Sequence, residues 1–151
     1  MLQVGDKAPD FKLFNTEKQE VSLATLQGKN VVLLFFPLAF TSVCTAELCN
    51  IRDNYATYNK LNAEVIGISV DSVFTLHKFK AEQNLNFHLL SDFNATVSEQ
   101  YGAMYEEFVM GMKRVSKRAA FVVGTDGNIK YAEVLASAGD LPNFEAIQAV
   151  L

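Results

Sequence analysis

Apolar and polar positions change rhythm several times along the chain, and each change marks an element. Residues 9–14 and 19–23 mix apolar and polar side chains over short lengths, which predicts two short strands joined by a polar turn. Residues 31–36 form an unbroken, β-rich apolar run, as expected of a central strand buried on both faces. Pro37 ends it, because proline cannot donate to a ladder. The period then lengthens. Ala46, Glu47 and Leu48 favour helix, and Ile51, Tyr55, Tyr58 and Leu61 recur at helical spacing. One long helix is expected over 42–61, with Thr41 or Ser42 capping its start. Residues 65–70 read as a second buried strand, 72–83 as a helix, 88–91 as a short strand and 95–101 as a short helix. Two apolar runs, 119–123 and 129–134, flank Thr125, Asp126, Gly127 and Asn128, a strong hairpin signal. Residues 143–151 should close the chain as a helix. The apolar stretch 108–112 falls in an expected loop, where buried cover, a pocket rim and an oligomer surface are all open and burial is the simplest reading.

Strand, helix, strand, helix, strand, helix, hairpin and helix follow in that order. Helices on both faces of a central mixed sheet satisfy it. The fold class is therefore α/β, a thioredoxin-like fold with a central mixed sheet flanked by helices. An N-terminal β extension and one helix are expected before the core. A chain of 151 residues with half its side chains hydrophobic suits one domain over 1–151.

Composition removes several functions. The net charge is −4 and no basic run exceeds two residues, so a nucleic-acid reader is not expected. The longest apolar run, 31–40, is shorter than the ~20 residues of a membrane span and Pro37 interrupts it. Residues 1–7 lack a charged start followed by an apolar core, so no secretory signal is expected. The two cysteines are too few for a secreted disulfide framework, which points to a reducing cytoplasm.

Chemistry concentrates in residues 37–49, where a buried strand runs into the first turn of a helix. Active sites of α/β sheets favour that edge. Free N–H groups and the helix dipole stabilise anions there, and the thiolate is the reactive form of cysteine. Cys44 is thus placed for reactivity. Cys49 follows five residues later. On an ideal helix their Cα atoms lie roughly 8.6 Å apart and about 140° around the axis. A disulfide needs Cα atoms within about 7 Å. Either the bond never forms, or part of the helix unwinds. Cys49 could equally be a small buried apolar residue.

Pro37, Thr41 and Cys44 match the P-x-x-x-T-x-x-C signature of peroxiredoxins, and the chain resembles that family over nearly its whole length. The segments 5–11 and 121–123 match as well. The resemblance implies that Cys44 is the peroxidatic cysteine, that Thr41 hydrogen-bonds the peroxide and that Pro37 shields the pocket. It implies that Arg118, before the late strand, stabilises thiolate and peroxide, with the N–H groups near Val43 and Cys44 as further donors. Glu47 resembles the family glutamate that orients the arginine. The Cys44–Cys49 spacing resembles the bacterioferritin comigratory protein (PrxQ) branch, whose resolving cysteine sits at the second position. Ser42-Val43 stands where that branch has Pro-Gly. Segments 40–44, 90–93 and 132–134 look more like the AhpE branch.

The same resemblance implies a peroxidase acting on hydrogen peroxide and organic hydroperoxides, with no metal or flavin. A thioredoxin-like or other dithiol protein would be the reductant, and the chain would be a monomer or homodimer. Two other classes stay open on the residues alone. One is a thioredoxin-like thiol–disulfide oxidoreductase, although four residues rather than two separate the cysteines. The other is a redox-sensing or binding module without turnover. Blander readings remain for single residues: Thr41 as a helix cap, Arg118 as a surface cation beside Lys117, and Glu47 as a helical surface acid favoured by the dipole. Arg52 and Arg114 read as solvated charges. His77 and His88 lie apart from each other and from the cysteines, so no compact metal-ligand set is visible.

Overall fold

A computed structural model describes residues 1–26 and 28–151. Among these residues, nine strands form a seven-stranded mixed sheet and a separate two-stranded ribbon. In chain order the elements are β1 (Lys12–Asn15), β2 (Glu20–Ser22), β3 (Asn30–Phe35), α1 (Ser42–Asp53), α2 (Tyr55–Lys60), β4 (Ala63–Ser69) and α3 (Val73–Gln83). Then come β5 (His88–Ser91), α4 (Thr96–Gln100), β6 (Met104–Glu107), β7 (Lys113–Ser116), β8 (Ala119–Val123), β9 (Ile129–Val134) and α5 (Phe144–Ala149). Across the main sheet the order is β2-β1-β5-β4-β3-β8-β9. The neighbours β3, β4 and β5 run parallel, and the flanking pairs are antiparallel. This is the thioredoxin-like α/β arrangement expected, with β1 and β2 as the N-terminal extension.

Period-two alternation in β3 explains the layering. Val32 and Leu34, with Phe36 just beyond the strand, face a core built with Leu48 and Ile51 of α1, Tyr58 of α2, Leu76 and Phe79 of α3, and Ile147 of α5. Val31, Leu33 and Phe35 face the opposite core, with Phe11, Val97, Tyr101 and Phe121. Aromatic rings crowd that second side. Tyr101 lies 5.4 Å from Phe35 and 5.2 Å from Phe121, ring centre to ring centre. Its phenol donates to the Pro9 carbonyl at 2.6 Å, which ties the N-terminal segment to the sheet. On the first side Gly67 of β4 pairs with Leu34, and a Cβ there would sit 2.7 Å from a Leu89 methyl.

Several expectations need correction. The helix over 42–61 is two helices. Asn54 sits between them at φ −110°, ψ 15°, and its backbone N–H and side-chain amide both turn back to the Asn50 carbonyl. The apolar period runs through this point because Ile51 and Tyr58 both reach the same core, so period alone could not mark the break. The N-terminal strands are shorter than expected, and the helix expected before the core is a single 3-10 turn at Ala24–Leu26. The loop around 108–112 is the tip of the β6–β7 ribbon. It is not buried as expected, since Val109 and Met110 are exposed.

Candidate active site

The C-terminal end of β3 delivers the chain through buried Pro37 into a short turn, and α1 begins at Ser42. Phe40 carries the turn. Its φ of 68° lies in the left-handed region, which costs a side-chain-bearing residue on the order of 1 kcal/mol. The ring packs edge-on against Phe79 of α3, with centroids 5.1 Å apart. Thr41 holds the cap position, but its hydroxyl makes no capping bond and instead donates to the Leu38 carbonyl at 2.7 Å. The side-chain cap expected of Thr41 or Ser42 is therefore absent among the described contacts. The first N–H groups of α1 have no carbonyl one turn back, which leaves donors near Val43 and Cys44 for an anion.

Cys44 lies in that first turn and is 1% exposed. Arg118, just before β8, reaches its Sγ with Nη2 at 3.2 Å. The same guanidinium donates from Nη1 to Glu47 Oε2 at 2.5 Å. It also donates to the Ala138 carbonyl from Nε at 3.2 Å and Nη2 at 2.9 Å. Three bonds therefore hold one planar cation so that a fourth reaches the sulfur. Arg118 is 2% exposed and Glu47 fully buried, so the surface readings of both are excluded.

Burial pushes the Glu47 carboxyl up to about 7, against the opposing charge and hydrogen bond of Arg118. Among the described residues its Oε1 has no hydrogen-bond partner, which adds to the penalty on the ionised form. Burial alone would lower Arg118, but Glu47 and Cys44 beside it outweigh that and hold it above its usual value.

Cys49 sits on the same helix and is half-buried, with its Sγ 3.5 Å from Gln83 Oε1. Both cysteines are free thiols. Arg52 donates to the Gln83 carbonyl at 2.6 Å and to Asp53 at 2.9 Å, while Arg114 pairs with Glu99, so neither joins the cluster around Cys44. His77 contacts the Thr16 carbonyl, also apart from it. Sequence reasoning missed Ala138, since a backbone carbonyl leaves no mark in residue type. It also missed Asp71, which accepts the Ala39 N–H at 2.8 Å. Its position just past the end of β4, on the edge where such sites form, was the available signal.

A buried thiol at a helix start, on a sheet of this topology, defines a thiol-based redox enzyme of thioredoxin-like fold. Comparison with known proteins narrows the class. Residues 4–132 match the AhpC/TSA family. The chain is 37% identical over 131 residues to peroxiredoxin Bcp of Escherichia coli strain K12, covering 86% of this chain and 84% of that protein. The crystal structure of peroxidoxin BcpB from Mycobacterium tuberculosis superposes with a TM-score of 0.88 at 30% identity, covering 99% and 96% of the two chains. The reduced 2-Cys peroxiredoxin of Plasmodium vivax gives 0.84 at 28% identity, covering 97% and 93%. The chain belongs to the AhpC/TSA family and is a peroxiredoxin, a thiol-dependent peroxidase that takes a peroxide as substrate and a thiol as reductant. Among the described residues, no helix is long and apolar enough to cross a membrane.

Proposed function

We propose that Cys44 is the peroxidatic nucleophile and that Arg118, Thr41 and the N–H groups near Val43 and Cys44 hold the peroxide against it, with Pro37 shielding the site. The observation that carries this reading is the Arg118 guanidinium, fixed by Glu47 and the Ala138 carbonyl and set 3.2 Å from a buried sulfur. In the reaction, the Cys44 thiolate attacks the terminal oxygen of ROOH. An S–O bond forms, the O–O bond breaks, and the leaving oxygen takes a proton to become an alcohol or water. Sulfur is oxidised to a sulfenic acid and the peroxide is reduced. Negative charge develops on the oxygens, and donors already in place stabilise it without reorganising.

Cys49 then resolves. Its thiol attacks the sulfenic sulfur, an S–S bond forms, and the hydroxyl leaves as water with the Cys49 proton. Helix geometry keeps the two apart by roughly 8.6 Å between Cα atoms, so α1 must open locally first. A thioredoxin-like or other dithiol protein reduces the disulfide, its own two thiols becoming a disulfide. Hydrogen peroxide and organic hydroperoxides are both substrates in this reading. The protein works as one domain over 1–151 in a reducing cytoplasm, as a monomer or homodimer. Stopped-flow oxidation with hydrogen peroxide and an organic hydroperoxide, followed by reductant-coupled turnover, tests it. Oxidation without turnover would favour the sensor, and fast exchange with protein disulfides without peroxide consumption would favour the oxidoreductase.

A further inference from the structure

The turn that carries Thr41 is held from outside by a residue with no part in the chemistry above. Asp71 lies just beyond β4 and directs its carboxylate at this turn. Its Oδ2 accepts the Ala39 N–H at 2.8 Å and the Ser69 hydroxyl at 2.7 Å. Ser69 Oγ in turn accepts the Asp71 N–H at 3.2 Å, and the Asp71 carbonyl accepts the Ser91 hydroxyl at 2.6 Å. Ser69 at the end of β4 thus orients the carboxylate, and Ser91 at the end of β5 holds the Asp71 backbone.

The N–H that Asp71 holds is one end of the Leu38–Ala39 peptide bond. The other end of that rigid plane is the Leu38 carbonyl, which takes the Thr41 hydroxyl proton at 2.7 Å. A carbonyl cannot donate, so the proton of Thr41 is committed to Leu38. The Thr41 oxygen is left with lone pairs only. It can accept the O–H of a hydroperoxide and cannot donate to it.

We propose that Asp71 is a positioning residue for peroxide capture: by pinning the Leu38–Ala39 peptide, it sets the direction in which the Thr41 oxygen accepts a hydrogen bond from the hydroperoxide O–H. The proposal rests on the reading of Thr41 as a peroxide ligand.

The test uses the Cys49→Ser background, in which Cys44 is the sole thiol. Two rates are compared, oxidation of Cys44 by hydrogen peroxide and its alkylation by iodoacetamide, which needs no acceptor at Thr41. Loss of the anchor in Asp71→Ala should slow oxidation about tenfold and leave alkylation within about twofold, since a small misplacement suffices to lose that much. Asp71→Asn keeps an acceptor for Ala39 and should restore most of the rate. Thr41→Val should slow oxidation roughly a hundredfold, and adding Asp71→Ala to it should cost less than about twofold more, because the two act through one group. If Asp71→Ala does not fold, Ser69→Ala, which removes a bond that orients the carboxylate, should slow oxidation about threefold with alkylation unchanged.

Equal losses in both rates, multiplying losses in the double variant, or an unchanged oxidation rate in the variant that folds would each overturn the proposal. An unaffected Thr41→Val would overturn the reading of Thr41 and this inference with it. A slow Thr41→Val beside a normal Asp71→Ala would overturn this inference alone.

Discussion

The two ends of helix α1 are built on opposite terms. At its start, Cys44 is enclosed and clamped by a buried cation that is itself held by a carboxylate and a carbonyl. Toward its end, Cys49 is half-buried and has a 3.5 Å contact to an uncharged amide, and the helix stops at Asn54. Arg52 and Asn86 add bonds there, but these lie at or near the surface. On the proposed reading, the contrast amounts to a division of labour. The first end is ordered before substrate arrives, which is what catalysis by fixed donors requires. The second end keeps Leu48 and Ile51 in the core, but its polar bonds at Cys49, Arg52 and Asn54 lie at or near the surface.

Cys44→Ser strikes hardest at this contrast. It should abolish peroxide consumption and leave the fold intact by circular dichroism, while Cys49→Ser should not abolish the first step. Equal loss in both variants would erase the distinction between the ends.

Removing Arg118 comes next. Arg118→Ala should slow the first oxidation by about 10²–10³-fold, the usual cost of a preorganised donor, as read by stopped-flow. It should also destabilise the fold by roughly 3–5 kcal/mol, because Glu47 is left buried without a partner. Arg118→Lys should recover little of the rate, since an ammonium cannot bind sulfur, carboxylate and carbonyl in one plane.

At the other end, Cys49→Ser should oxidise at a near-normal rate and then stall. Mass spectrometry should find sulfenic acid, overoxidised Cys44 or a mixed disulfide in that variant, and a Cys44–Cys49 disulfide in the parent. Amide exchange should rise across 42–53 in the oxidised parent. A parent in which Cys44 is oxidised while Cys49 stays a thiol would make Cys49 ordinary packing.

The smallest effect concerns Glu47 and pH. Its carboxyl titrates near 4.5 when unfolded and at about 7 when folded. Below the first value both states hold the proton. Between the two values only the folded chain keeps it, so this group's contribution to stability falls as pH rises. Relative to Glu47→Gln, the parent should lose on the order of 1–3 kcal/mol across that window in urea unfolding. A difference that stays flat with pH would mean that Arg118 fully offsets the burial.

Legibility in the sequence followed how local the cause was. The β3 run and the hairpin at Asp126 and Gly127 could be read directly, since the apolar run and the turn residues are their own causes. The break at Asn54 could not be read, because apolar side chains on both sides of it serve one core. The β6–β7 ribbon was hidden because its tip exposes the apolar residues that suggested burial. Cys44 was legible from its place at a strand–helix junction. Arg118, 74 residues away in sequence, could be connected to it only through resemblance to a family. Glu47 had only the resemblance to set it apart from a helical surface acid, because its burial depends on the packing around it. Ala138 acts through its backbone carbonyl, and the Asp71 carboxylate through a backbone N–H of Ala39, so residue type marks neither pairing.

The interruption at Asn54 has a further consequence for how the protein survives its own work. Tyr58 of α2 is fully buried against the sheet, and Asn54 separates that anchor from the twelve residues of α1. If opening is confined to α1, each catalytic round would melt a short piece and leave α2 packed over β4. An unbroken helix would transmit the opening to Tyr58 and bare the apolar strands beneath it, the kind of surface on which chains stick together. On the proposed reading the kink would act as a firebreak, so that a burst of peroxide would cycle the thiols of many molecules at once without turning them into aggregates.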